Sequence, residues 1–388
     1  LQRLGWQTVL VERRVYPADK LCGEFLSGDG VACLKRMELE ERLVESGARA
    51  IGQVLVSGVG GPCWQADLPV PGMGCSRRCL DSLLLDHCRS AGVEVVEGVR
   101  IRKVEGDWQR GFCAQGVKQG ERVMYRGRVV IGAFGRRGGV FRSGDGDRRT
   151  EEGNSERGVN EERDGKGVKG SLRPRNEIEG GRKEKGLMAL KVHVEERNFP
   201  PHVELHAFPG GYAGVCPVEG GRVNLCLLAE VEAFQRAGRE GRRLAIEAMG
   251  QNARLAGRLG ELRPEWEGAL AAGGLEFGAG PVEQQGALLV GDAAGAISPL
   301  CGDGMSMALR AGELVAPLVD EFLGGRRRGE GLAMAYGEVW RKEFARRLRV
   351  GRILQGVLMR TEWTRRVLPL LRLVPALGRK AIGWSRGG

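Results

Sequence analysis

The chain has 388 residues, 42% of them hydrophobic but only 5% aromatic, and a formal charge of +11. That length can bury a sizeable core and suits about two domains. The charge suits anionic partners, but without basic–aromatic interleaving nothing supports a nucleic-acid groove. No signal peptide and no run of about 18 apolar residues appears, which points to a soluble, reducing compartment. The ten cysteines sit in a chain too long for a secreted disulfide framework, and several lie inside apolar segments (Cys33, Cys88, Cys226). Cys75 and Cys79 have no matching pair or histidine couple at zinc-ligand spacing, so no metal is expected.

In chain order, Leu1 to Trp6 reads as a helix end stopped by Gly5, and Gln7 to Glu12 as a strand ending on an acid. Helix, glycine, strand and terminal glutamate form the second half of a dinucleotide-binding βαβ unit, whose first strand and Gly-x-Gly-x-x-Gly turn are expected upstream. In such a unit the acid takes ribose hydroxyls, which makes Glu12 the candidate, with Arg13 beside it. A loop carrying Lys20, Cys22 and Glu24 follows. The spacing predicts a helix over 27–43, a strand over 53–57, a helix from about Arg77 to Gly92, and a strand over 93–96. Short strands of a meander are expected at 100–105 and 122–125, and Arg128 to Ile131 runs into Gly132-Ala-Phe-Gly135. The first unit thus spans residues 1–142.

Residues 143–186 are rich in Gly, Glu, Arg, Lys, Asn and Asp, with too few apolar positions to offset the entropy of ordering, so disorder is expected there. Four period-two runs between Leu187 and Leu228, separated by Pro-Gly-Gly and Glu-Gly-Gly turns, predict an antiparallel sheet, with helix over 233–259 completing a unit at 187–275. Residues 276–325 form the next segment. Within it Ala287 to Val290 reads as a buried strand, Gly291-Asp292-Ala-Ala-Gly295 as a tight turn around one carboxylate, and Met305 to Val319 as a helix entered through Pro299 and Gly302-Asp-Gly304. Small residues let a backbone approach a bulky ligand, and the helix start offers free N–H groups to an anionic or electron-rich one. The last section, 326–388, reads as arginine-rich helix broken at Leu368-Pro and Val374-Pro.

The strand ending in Glu12, the Arg77-x-x-Leu80-Asp81 helix, Gly132-Ala-Phe-Gly135 and Gly291-Asp292 stand in one order. Together they resemble the FAD-dependent oxidoreductases built like para-hydroxybenzoate hydroxylase, and within them the geranylgeranyl reductase-like branch. The resemblance implies an α/β fold: a three-layer, Rossmann-like FAD/NAD(P)-binding domain, an antiparallel β substrate domain and C-terminal helices. It implies FAD as cofactor, held by Asp292 after Gly291 on the ribityl side. Pro299, Gly302, Gly304 and Met305 would lie at the flavin edge, Arg77 near the pyrophosphate, and Glu12, Arg13 and Lys20 on the nucleotide side. Cys22, in a Lys-x-Cys-Gly segment, and Tyr212, in the substrate-sheet turn, are the catalytic candidates, each against the plainer reading of a loop thiol and a packing aromatic. The family's usual Gly-Ala-Asp-Gly turn has Phe134 in place of the acid, and the phosphate-binding glycine loop is not in the sequence, so weak FAD binding is expected of the chain as written.

The implied activity is reduction of an isoprenoid or lipid-like double bond by reduced flavin, with NAD(P)H as a candidate donor. The alternatives are hydroxylation of an aromatic or polyketide substrate, and a remnant that keeps the fold without the cofactor. His193, His202 and His206 are read as packed or solvated strand residues that form no triad with a serine-containing elbow. The tail interleaves Trp363, Val367, Leu371 and Trp384 with Arg365, Arg366, Arg372 and Lys380, which suits peripheral contact with anionic lipid. The plainer and preferred reading is a core-packing terminal helix with a basic outer face.

Overall fold

The computed structural model describes residues 1–136 and 186–385. The expected disordered tract at 143–186 lies, apart from Gly186, outside the described residues. At the front, a 3₁₀ turn over Gln2–Leu4 is closed by Gly5 in the left-handed conformation (φ 87), which a side chain adopts only with strain. The chain then enters β1 (Val9–Val11). After β2 (Phe25–Leu26) the predicted helix is in fact two, α1 (Gly28–Arg36) and α2 (Glu40–Glu45). Glu38 between them has a positive φ of 61 and cannot continue a helix. β3 (Arg49–Ser57) and β4 (Cys63–Gly74) pair antiparallel, and β4 also pairs with β2.

Ser76 caps α3 (Arg77–Ser90) by accepting from the Cys79 N–H at 3.1 Å. β5 (Glu94–Val96) then runs parallel to β1. The meander has three strands, β6 (Val99–Asp107), β7 (Gly111–Lys118) and β8 (Glu121–Gly127), one more than the spacing predicts. β9 (Ile131–Gly132) closes the first described section.

β10 (Leu187–Glu195), β11 (His202–Phe208), β12 (Gly211–Val218) and β13 (Arg222–Glu230) are the four predicted runs. β11, β12 and β13 are sequential antiparallel neighbours and β10 pairs antiparallel with β13. The sheet does not stop there, because β11 pairs in parallel with β3. The helix predicted over 233–259 is three: α4 (Val231–Arg236), α5 (Gly241–Gln251) and α6 (Ala253–Leu262). Gly238 and Arg239 take positive φ at the first break, and extended Asn252 caps α6 at the second by accepting from the N–H groups of Arg254 and Leu255. With β14 (Leu270–Leu275), the main sheet has eight strands in the order β14-β10-β13-β12-β11-β3-β4-β2. One face, including Leu190, Val192, Val223 and Leu225, packs under α4–α6; Ala189, Tyr212 and Leu228 belong to a separate cluster on the opposite face.

The short strands β15 (Gly278–Ala279), β16 (Glu283–Gln284), β17 (Ala287–Leu289) and β18 (Gly295–Ala296) follow; β17 lies parallel to β9 and β18 pairs with β15. α7 (Gly304–Leu323) and α8 (Gly329–Leu358) pack with β17 and the meander in a second core that includes Phe112, Leu288, Met307, Tyr336 and Trp340. α9 (Thr361–Leu373) and α10 (Pro375–Ser385) end the described chain. Pro369 does not break α9, contrary to the expectation from Leu368-Pro. Burial of Leu368 and packing of Leu371 against the cluster that holds Trp64 and Phe25 outweigh the one lost hydrogen bond at an exposed position. Pro375 instead starts α10, where its missing N–H is unneeded.

α10 lies against β4 so closely that a Cβ on Gly378 would meet Trp64 Cζ2 at 2.1 Å. Both partners are buried and neither can step aside. Gly378→Ala is expected to destabilise the protein by about 1–3 kcal/mol, read as a lowered midpoint in thermal or urea unfolding.

Candidate cofactor and substrate site

The site is built where β17 gives way to α7. Gly291 (φ 59) and Gly302 (φ 62) are both left-handed, and a Cβ on Gly302 would stand 2.4 Å from the Phe25 ring. Only glycine fits there, so the turn brings bare backbone up to whatever lies beside it. α7 begins at Gly304 with Asp303 as its N-cap residue, yet the Asp303 side chain does not cap it. Its carboxylate accepts from Ser27 Oγ at 2.7 Å and from Arg347 Nη1 at 3.1 Å. The first N–H groups of a 20-residue helix therefore lack a side-chain partner from the cap, with the positive end of the helix dipole behind them. Burial pushes the Asp303 carboxyl above its ordinary range, and the bonds from Ser27 and Arg347 work against that shift.

Gly302, Asp303, Gly304 and Met305 form part of the wall of a cavity of about 580 Å³. Nearby in the same wall are Gly291, Asp292, Ala133, Gly135, Arg136, Arg77 and Asp81, while Cys22, Glu24, Tyr212 and Cys226 line it from the loop and the main sheet. Val54, Trp64, Leu68, Leu368 and Ile382 complete an apolar part. Asp292 is 40% exposed and its nearest ion partner is Arg136 at 3.6 Å, too loose for a strong hydrogen bond. Surrounding protein still raises its carboxyl above the ordinary value by desolvation, against the pull of Arg136 and Arg77. The Tyr212 phenol is buried and pushed well up by that burial. The Trp64 indole N–H is buried with no hydrogen-bond partner among the described residues.

Of the residues singled out in the sequence, Cys22, Arg77, Tyr212, Gly291, Asp292, Pro299, Gly302, Gly304 and Met305 line this one cavity. Glu12, Arg13 and Lys20 do not. Arg13 is exposed. Glu12 follows β1 and accepts from the Arg14 N–H at 2.9 Å. The Tyr16 hydroxyl lies 3.4 Å from Glu12 and 3.5 Å from Asp81, which connects Glu12 to the cavity wall. Lys20 bridges to Asp81 at 2.8 Å. Arg77 gives Asp81 a bidentate pair, Nε and Nη2 each at 2.8 Å, which leaves Nη1 to donate elsewhere. Burial alone would raise Asp81, but Arg77 and Lys20 outweigh it and hold the carboxyl below its ordinary value.

Two buried polar networks have no counterpart in the sequence reading. Glu24, wholly buried and left-handed at φ 59, stands in the cavity wall. Its carboxylate takes the Lys191 ammonium, His193 Nε2 at 2.5 Å and the Arg77 N–H at 2.9 Å. Alternation along β10 places Ala189, Lys191 and His193 on one side of the sheet. The second network takes in two of the strand histidines, His202 and His206. His206 bridges Ser57 Oγ (2.8 Å from Nδ1) and Glu204 (2.9 Å from Nε2), a serine–histidine–carboxylate chain. Ser57 is fully buried, however, and none of the three lines the cavity. The chain ties β3 to β11 and, through Asn252, to α6.

No family model matches the sequence, and no curated protein matches it. The structure is similar to solved flavoproteins. A flavin-dependent brominase, Bmp2, superposes with a TM-score of 0.75 at 15% identity, over 100% of this chain and 88% of that one. The myxobacterial chondrochloren halogenase CndH gives 0.72 at 16% identity, over 99% and 86%. PqsL of P. aeruginosa, solved in complex with 2-aminobenzoylacetate, gives 0.69 at 16% identity, over 94% and 93%. The fold is therefore the mixed α/β, Rossmann-like FAD-binding fold of flavin-dependent halogenases and monooxygenases, with helices at its C-terminal end.

Proposed function

We propose that the chain is an FAD-dependent oxidoreductase that acts on a small, largely apolar substrate. One observation carries this reading: an uncapped helix start, a loosely held carboxylate and an apolar chamber are walls of the same cavity. The residues fit the cofactor. The glycine turn leaves backbone where a side chain would collide with Phe25, and Asp292 has acceptor capacity for hydroxyl groups of the ribityl chain. The N–H groups at the start of α7 favour negative charge on a ring laid against them. Arg77 Nη1 is the donor available to a phosphate from that side, with Asp81 fixing the guanidinium plane. Reduced FAD would supply the electrons, to oxygen or as hydride to a double bond.

The fold neighbours support the monooxygenase-type reading, in which oxygen is activated and the substrate hydroxylated. The apolar chamber gives the substrate a hydrophobic seat. The Lys20–Glu24 loop, with Cys22 and Glu24 in the wall, favours a second reading, reduction of an isoprenoid or lipid-like double bond in the manner of the geranylgeranyl reductase-like branch. Stopped-flow mixing separates them. With FAD bound and reduced by NAD(P)H, the monooxygenase reading expects reoxidation in air to be slow until substrate arrives and hydroxylated product to follow. Saturation of a polyprenyl double bond in the absence of oxygen would overturn it in favour of the reductase. A reduced flavin that yields only peroxide with every apolar substrate offered would count against both.

A further inference from the structure

α9 and α10 have two different faces. Inward, Val367, Leu368, Leu371, Ala381 and Ile382 line the cavity, and Gly378 is pressed onto Trp64. Outward, the same two helices and Val374 between them expose Trp363 (48%), Leu370 (47%), Leu373 (80%), Val374 (42%), Leu377 (45%) and Trp384 (47%). Trp363, Leu370 and Leu373 recur at i, i+7 and i+10, and Leu377 and Trp384 at i and i+7, so each set forms a stripe along its helix. Arg365, Arg366, Arg372, Arg379 and Lys380 stand exposed among them, against the single acid Glu362. None of these five cations takes an acidic partner among the described residues. Exposed aromatic and aliphatic side chains interleaved with unpaired cations match the boundary between acyl chains and anionic headgroups. The described helices include none long and apolar enough to cross a membrane, so the contact is one of lying on the surface.

We propose that the α9–α10 pair docks on an anionic lipid surface through this outer face, and that the cavity on its inner face is loaded from that surface. The loading half rests on the apolar-substrate reading above. The docking half does not. Paired helices one layer thick would be all that separates the lipid from the chamber.

The test is co-sedimentation of the full chain with vesicles of phosphatidylcholine alone and of phosphatidylcholine with phosphatidylglycerol. Binding to the anionic vesicles is expected to exceed binding to the neutral ones by about tenfold or more. Leu373→Asp should abolish it, and Arg366→Glu with Arg372→Glu should reduce it to the neutral-vesicle level. All three positions are exposed, and an unchanged unfolding midpoint shows that the variants still fold. A chain that stays in the supernatant with both vesicles, binds both equally, or loses dimers rather than vesicles on Leu373→Asp overturns docking. Equilibrium dialysis against farnesol tests the chamber separately. Farnesol uptake without vesicle binding leaves the substrate reading standing and sinks docking, whereas vesicle binding without farnesol uptake keeps docking and overturns loading.

Discussion

Replacing Glu204 with alanine is expected to cost the protein about 3–5 kcal/mol, a large part of the stability of an ordinary domain. Glu204 is 1% exposed and its carboxylate accepts from His202 Nε2 at 2.7 Å, His206 Nε2 at 2.9 Å, and Arg258 Nε at 2.9 Å and Nη2 at 2.5 Å. Arg258, 23% exposed, can turn to water when the acid is gone, but His206, 2% exposed, cannot. The cost therefore falls on the His206–Ser57–Asn252 chain that joins β3, β11 and α6. Equilibrium urea unfolding of parent and variant measures it; a loss under about 1 kcal/mol would mean that the network contributes little.

The same residue sets a pH dependence. Burial by itself would raise the Glu204 carboxyl, but the bonds from His202, His206 and Arg258 outweigh it and hold the group far below the ordinary glutamate range. The folded state thus refuses a proton that the unfolded chain accepts. Stability from this group is fully present above about pH 4.5 and is lost as the pH falls below it. The parent should lose stability more steeply than Glu204→Gln between about pH 5 and pH 3.

Lys191→Met carries the second large effect, again about 3–5 kcal/mol. The ammonium is 1% exposed, donates to Glu24 and gives a 3.0 Å bond to the Lys20 carbonyl. Without it the Glu24 carboxylate stays fully buried with only His193 and the Arg77 N–H as partners. Removing both charges together, as Glu24→Gln with Lys191→Met, should cost less than the sum of the two single changes, because no uncompensated buried charge remains. Strict additivity in a double-mutant cycle read by urea unfolding would show that the pair is not coupled. The cycle bears on the site as well as on stability, since Glu24 is part of the cavity wall.

Much of this architecture is legible in the order of residue types. The apolar run at 287–290, the small-residue turn and the period of the helix behind it are local signals, and the structure brings Asp292, Gly302 and Gly304 to one cavity. The four runs of the main sheet are local as well. What joins them to the front of the chain is the parallel pairing of β11 with β3, across roughly 150 residues, and nothing in either strand's alternation announces it. β7 was illegible because Gly111 to Lys118 mixes small and polar residues, so only its pairing with β6 and β8 makes it a strand. The helix break at Glu38 depends on left-handed backbone at a residue that carries no turn signal, whereas the break at Arg239 has Gly238 beside it as a local sign. The buried networks were hidden for the same reason as the sheet junction. Glu24 and Lys191 are 167 positions apart, and Ser57 and His206 are 149 apart. A lysine and a histidine alternating on a strand otherwise read as an outward polar face. Pro369 shows the opposite error, a strong local signal overruled by the packing of Leu368 and Leu371.

Equilibrium titration with FAD, followed by quenching of flavin fluorescence, of the parent chain beside Asp292→Ala tests the cofactor reading most directly. The account predicts weak but saturable binding by the parent and a Kd raised about tenfold or more in the variant, equivalent to about 1.4 kcal/mol. Both proteins should unfold at the same urea midpoint, because the Asp292 carboxylate makes only a loose contact with Arg136 at 3.6 Å. A parent that shows no saturable quenching, or a variant that binds FAD as tightly as the parent, would contradict the assignment of the cavity to the flavin.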